Sequence, residues 1–237
     1  MTYLGHLVTA EGVYPHYENV RKVREYPVPN TVKQLRSFLG LAAYYRRFVR
    51  NFSAIAKPLT ELTKKETRWS WEGAQQQAFE TLRRRLTEAP ILAYPRFDTP
   101  FVLQTDASDY CLGAVLSQTQ DGAERVISYG SRSLKPAELN YSTTEKEALS
   151  IVHFVGEYRP YLLGRKFYVE TDHNPLTFLN KQQEPKGRLG RWAIALSEFD
   201  YEVRYKPGCI EQQRRRFIAT TCPSCATRKT STTTNKT

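Results

Sequence analysis

The stretch "FVLQTDASDYCLGAVLSQ", Phe101 to Gln118, decides how this chain folds. Its first part, "FVLQTD", alternates with a period of two, which predicts a strand. A tight turn follows, and "YCLGAVLSQTQDG" reads as a second strand ending in a turn at "QDG". "ERVISYGSRSL", Glu124 to Leu134, is a third. Consecutive strands with short turns form an antiparallel meander. One residue does not suit a unit built to bury apolar surface. Asp106 places a carboxylate where the first strand should simply end.

The texture changes on either side. Downstream, "YSTTEKEALSIVHFVGEYRPYLLG" (Tyr141 to Gly164) has Ala148, Leu149, Val152, Val155 and Leu162 available for burial on a long helix. "KFYVETDHNPL" is a strand running into a turn, where Pro175 ends the strand and can open a short helix. "GRLGRWAIALSEF" (Gly187 to Phe199) is another helix and "YEVRYKPG" a last strand. The order βββ-α-β-α-α-β predicts an α/β fold, a mixed sheet with flanking helices.

Upstream, "EAPILAYPRFDTP" (Glu88 to Pro100) holds three prolines and reads as an extended connector. Before it, "PNTVKQLRSFLGLAAYYRRFVRNF" (Pro29 to Phe52) shows helical periodicity, with Asn30 or Thr31 as cap and a break or close contact at Gly40. A further helix is expected from Glu72 to Leu86, capped near Ser70. The expected division is therefore a small helical region over residues 1–92, the mixed-sheet domain over 93–208, and a divergent basic tail over 209–237.

Asp106 ends the first strand, and Asp172, in "VETDH", ends the fourth. Strand ends in one sheet can lie side by side. The intervening helix offers Glu145 and Glu147 near its start. "STTE" (Ser142 to Glu145) is a capping box, which occupies Glu145 at the third helical position. Glu147 points elsewhere and is the better partner for the two aspartates, although Thr144 with Glu147 forms a competing box. Three clustered carboxylates repel one another unless a cation is present. Hard divalent ions want oxygen ligands. Such a cluster suits phosphoryl chemistry in which two ions about 4 Å apart activate water and stabilise the leaving oxygen.

The formal net charge is +11, of which +5 lies in the tail from Cys209 onward, where there are six Lys/Arg and one Glu. A basic body of this kind points to a polyanion. Arg46, Arg47 and Arg50 on the helical region, and Arg188 and Arg191 beside Trp192, are the candidate phosphate contacts. No apolar run approaches the ~20 residues of a membrane span, and the N-terminus has no secretory pattern. The expected setting is intracellular, cytoplasmic or nuclear. Four scattered cysteines do not make a disulfide framework; "CPSC" (Cys222 to Cys225) is half a zinc spacing, with no second pair after it. His153 is expected to pack in the long helix, and His173 either to support Asp172 or to stabilise the turn.

"TDASDYCLGAVLSQ", "YSTTEKEAL" and "YVETDHNPL" resemble, in order, the ribonuclease H motifs of gypsy-class LTR retrotransposon polyproteins. "YLGHLVTAEGVYP", "LRSFLGLAAYYRRFVRNFSAIAKPLTELTKK" and "WSWEGAQQQAFETL" resemble the end of the reverse transcriptase in the same polyproteins, its thumb and connection. The resemblance runs from about Tyr3 to Gly208. It implies a ribonuclease H-like fold and metal-dependent hydrolysis of the RNA strand of an RNA–DNA hybrid. Asp106, Glu147 and Asp172 would be the catalytic carboxylates, holding Mg²⁺ or alternatively Mn²⁺. The partners implied are the hybrid or other nucleic acid and the remainder of a Pol polyprotein; no membrane is implied. The chain has no Tyr-x-Asp-Asp motif, so no polymerase active site is expected within it. After "YKPG" the family's fourth acid would fall near Arg215, inside "RRR", and the last helix of the fold is expected to be missing. A binding relic without catalysis, or a non-functional polyprotein fragment, is the alternative.

Overall fold

The structure, a computed structural model, describes residues 1–171 and 187–205. The expected tail, the expected loss of the last helix and Asp172 itself lie outside the described residues. The first short strands are β1 (Thr2–Tyr3), β2 (His6–Val8) and β3 (Val13–Pro15), which form a three-stranded antiparallel sheet. Periodicity did not indicate this sheet, because strands of two or three residues are too short to show a period. Its place is set by distant chain: Val13 and Leu92 exchange backbone hydrogen bonds at 2.8 and 3.1 Å.

Four helices follow: α1 (Tyr17–Arg24), α2 (Val32–Tyr44), α3 (Phe52–Glu61) and α4 (Gly73–Thr87). Thr31 caps α2, accepting from the Gln34 N–H at 3.3 Å. Gly40 does not break that helix; it sits in its interior with open space around it. The break comes later, at a 3₁₀ turn over Arg46–Phe48 and at Asn51. Glu72, not Ser70, caps α4 through a box with Gln75, while the Ser70 hydroxyl donates to Glu72 at 2.7 Å. These helices enclose a core of Leu35, Phe38, Tyr45, Phe48, Phe79 and Leu82 and their neighbours.

The second core is that of the larger sheet. Strands β4 (Phe101–Ala107), β5 (Cys111–Gln120) and β6 (Ala123–Ser133) form the expected meander. The β5–β6 turn uses Asp121 (φ 53°) and Gly122 (φ 76°), the paired positive-φ geometry that matches strand twist in a two-residue hairpin. Next come α5 (Thr143–Glu157), α6 (Arg159–Leu162), β7 (Phe167–Thr171), α7 (Gly187–Ser197) and β8 (Tyr201–Tyr205). The sheet order is β6-β5-β4-β7-β8, with β7 parallel to both β4 and β8. The first and fourth strands of the domain are thus neighbours, as the strand-end argument required.

Alternation assigns the two faces of this sheet. Phe101 and Leu103 of β4, Leu112, Ala114 and Leu116 of β5, and Phe167 and Val169 of β7 pack with Ala148, Ile151, Phe154 and Val155 of α5. On the other face, Val126 and Tyr129 of β6 pack against the core of the helical region. So α5 covers one face, and the helical region covers part of the other.

Candidate active site

Asp106 is the penultimate residue of β4, half-buried, in the rank of Val102 and Gln104 that faces away from the α5 core contacts. Its cross-strand partner on β5 is Gly113. Glu147 is on α5 and only 2% exposed. The first turn of α5 is built as the sequence indicates. The Ser142 hydroxyl accepts from the Glu145 N–H at 3.3 Å, and the Glu145 carboxylate accepts from the Ser142 N–H at 2.9 Å. Glu145 is thus occupied by the cap, and Glu147 is the buried acid of this turn. Glu145 also pairs with Arg188 on α7. The Ser142 N–H, followed by the Arg188 guanidinium, holds its carboxyl below the usual carboxylate range against the opposing effect of burial.

Two ties fix α5 to the end of β4, on either side of Glu147. Before it, the Lys146 ammonium lies 3.3 Å from Asp109 in the β4–β5 turn. After it, the Ser150 hydroxyl donates to the carbonyls of Asp106 at 3.3 Å and Gly113 at 3.4 Å. Ser150 is fully buried, so this helix turn approaches the backbone directly. The N-terminal half of α5 is thereby held against the end of β4, the strand that carries Asp106.

The third expected carboxylate, Asp172, lies outside the described residues. Strand β7 is described up to Thr171, and its parallel register with β4 pairs Gln104 with Glu170. Gln104 also donates to Glu170 at 3.1 Å and to Glu124 at 3.2 Å. Among the described residues no group of three or more His, Cys, Asp or Glu side chains forms a metal site. The donors that are described suit a hard divalent cation, since both are carboxylates and neither is fully exposed.

The arginines divide by what they touch. Arg46 donates to the Ser131 carbonyl on β6, and Arg188 pairs with Glu145 while its guanidinium lies 4.0 Å from the centroid of the Tyr141 ring. Arg47 is half-buried, whereas Arg50 and Arg191 are exposed. Trp192 packs against Tyr141, as a core position should. His153 meets Phe154 edge-on and lies 3.4 Å from Glu157, a packed helix histidine. Sequence reasoning did not find Ser150 or Asn51, which matter only once register and helix phase are known. No local signal in the sequence marks either one.

Residues 96–199 match the family described as the RNase H-like domain found in reverse transcriptase, and they carry that mixed α/β fold. Similar proteins are retrotransposon polyproteins. One is the retrovirus-related Pol polyprotein from transposon 297 of Drosophila melanogaster, 44% identical over 207 residues, covering 87% of this chain and 19% of that protein. The Pol polyprotein from transposon gypsy of the same organism is 41% identical, covering 87% of this chain and 21% of its own length. The chain thus spans about a fifth of these relatives. Among solved structures, a foamy viral protease-reverse transcriptase in complex with dsDNA aligns with TM-score 0.71 and 26% identity, over 87% of this chain and 44% of that one. The same viral protein in complex with RNA/DNA hybrid aligns with TM-score 0.72 at 22% identity, over the whole of this chain and 31% of that one. That second likeness bears on the fold. Among the described residues no helix is long and apolar enough to cross a membrane.

Proposed function

We propose that this chain is the ribonuclease H part of a retroelement Pol polyprotein and hydrolyses the RNA strand of an RNA–DNA hybrid with a divalent cation. The observation that carries this reading is the double tie of α5 to the end of β4, through Lys146–Asp109 and Ser150–Asp106, with the buried Glu147 between them. The β4–β7 register supports the third acid. Counted in sequence, Asp106 is two residues after Gln104 and Asp172 two residues after Glu170, the partners at the last described pair of β4 and β7. Asp106, Glu147 and Asp172 would hold Mg²⁺, or Mn²⁺ in its place, at the strand ends. The bound ions would supply an activated water and charge stabilisation for the leaving 3′-oxygen.

The residues of the chain itself do the placing. Ser150 and Lys146 fix the helix that carries one acid to the strand that carries another. The exposed cations Arg50 and Arg191 would meet phosphates on the duplex. Recognition of RNA against DNA would rest on 2′-hydroxyls in the wide minor groove. The test is cleavage of a hybrid labelled on its RNA strand, with and without Mg²⁺, beside duplex DNA of the same sequence. The expected result is Mg²⁺-dependent cutting of the RNA strand alone, leaving 3′-hydroxyl and 5′-phosphate ends. Cutting of neither duplex would refute hydrolysis.

A second reading, a hybrid-binding protein without catalysis, is favoured by Arg214 to Arg216, which stand where the resemblance calls for a fourth acid. Retention of hybrid without cutting in the same assay would select it.

A further inference from the structure

One transverse row of the sheet carries the helical region directly to the carboxylate. Asp106, Gly113 and Ser131 are successive cross-strand partners on β4, β5 and β6, so they share a face. At one end of the row, the Ser53 N–H donates to the Ser131 hydroxyl at 3.0 Å, the two serine hydroxyls lie 3.1 Å apart, and Arg46 donates to the Ser131 carbonyl. In the middle, Gly113 has no side chain, and Asn51 takes that space: a Cβ at position 113 would lie 2.8 Å from Asn51 Oδ1. Ser150 holds the same pair through the Asp106 and Gly113 carbonyls. The Asp106–Gly113 pair is therefore held between Asn51 of the helical region and Ser150 of α5.

Asn51 departs from two local rules to be there. It occupies the N-cap of α3, where an asparagine side chain ordinarily accepts from a backbone N–H of the first turn, yet its side chain makes no capping bond. Its backbone is left-handed, at φ 56° and ψ 34°, a conformation that glycine adopts freely and asparagine tolerates better than most. Its carboxamide is turned from its own helix to the sheet. Local rules broken together mark positions where another requirement overrides them. The residue also lies outside the 96–199 segment that carries the domain match.

We propose that Asn51 is a positioning residue for the carboxylate site: its carboxamide, lodged on Gly113, fixes the strand pair that bears Asp106. The helical region then completes the site as well as being tethered to it. The inference rests on the hydrolase reading above. The key variant is Asn51→Gly, because glycine keeps the left-handed turn while removing the carboxamide. The measurement is Mn²⁺ binding to the full-length protein without nucleic acid, by isothermal titration, with Asp106→Asn as the control that defines site-specific binding. Asn51→Gly is expected to melt within a few degrees of wild type but to bind Mn²⁺ at least fivefold more weakly. Its cleavage of hybrid should show a lowered kcat with KM for hybrid little changed. Gly113→Ala should weaken Mn²⁺ binding in the same way, since its methyl group displaces the carboxamide, and should have little added effect in the Asn51→Gly background. Mn²⁺ binding by Asn51→Gly equal to that of wild type would overturn the inference alone. Absence of Asp106-dependent binding in the wild type would overturn the hydrolase reading, and the inference with it.

Discussion

Gly130 sits on β6 directly beneath α5, the helix that carries Glu147, and replacing it by alanine tests the packing on which the site depends. A Cβ at position 130 would lie 2.6 Å from Phe154 Cε1, 2.8 Å from Tyr158 Oη and 2.9 Å from Phe154 Cδ1. Ordinary carbon contacts are at about 3.5 Å, so roughly 1 Å of movement is required. Phe154 is fully buried and Tyr158 is 4% exposed, so neither ring can swing into solvent. The helix itself must shift, against the ties at Lys146 and Ser150. Overpacking of this kind costs about 1–3 kcal/mol. At roughly 2–4 °C per kcal/mol for a chain of this size, Tm should fall by about 2–12 °C. Gly40→Ala is the internal comparison: that glycine is inside α2, where an added methyl carbon would meet no neighbouring atom within 4 Å, and alanine there should gain about 0.5–1 kcal/mol. Thermal melts followed by circular dichroism measure both, and cleavage of hybrid by Gly130→Ala should drop with stability. A Gly130→Ala protein that melts at or above the wild-type temperature would refute this account of how α5 is seated.

Further expectations concern charge. The folded Glu145 carboxyl is held below its ordinary value, chiefly by the Ser142 N–H; its contribution to stability is therefore complete above the unfolded value and lost as pH falls through the folded one. Glu145→Gln, which keeps an acceptor for the cap, should narrow the stability difference between pH 6 and pH 3, as measured by denaturant melts at each pH. Hybrid binding should weaken steeply with salt, and Arg50→Ala or Arg191→Ala should each reduce the log–log salt slope by about one without moving Tm. Arg188→Ala should lower Tm as well, because Arg188 pairs with Glu145 and stacks on Tyr141. A salt response as steep in Arg50→Ala and Arg191→Ala as in wild type would remove these two from the binding surface.

How much of this was legible in the sequence follows from the range of each interaction. The meander and the box at Ser142 are written within a few residues of where they act: alternation over β4, Asp121 and Gly122 at the turn, and Glu145 three residues after Ser142. The neighbouring of the first and fourth strands was open in the sequence, since strand ends in one sheet can but need not lie side by side, and the strand order β6-β5-β4-β7-β8 shows it. The initial sheet was hidden, because strands of two or three residues are held by partners such as Leu92 rather than by their own pattern. The end of α2 was misplaced for the same reason. No proline marks it, and Tyr45, whose hydroxyl donates to the Gly5 carbonyl at 2.6 Å, is held by tertiary structure. For the proposed site, residue types single out Asp106 and Glu147, because a carboxylate at a strand end or on a helix face turned inward is chemically conspicuous. Asn51 and Ser150 were invisible, because an asparagine before a helix and a serine within one have ordinary local uses. Only the register Asp106–Gly113–Ser131 shows where they reach.

In the proposed site, Asp106 and Glu147 converge on one divalent ion at the end of β4. Anomalous diffraction from crystals of the protein grown with Mn²⁺ measures this directly. The expected result is a manganese peak within coordination distance of both carboxylates, lost in Asp106→Asn. A map with no manganese against either side chain, or with the two acids ligating separate ions on opposite faces of the sheet, would contradict it.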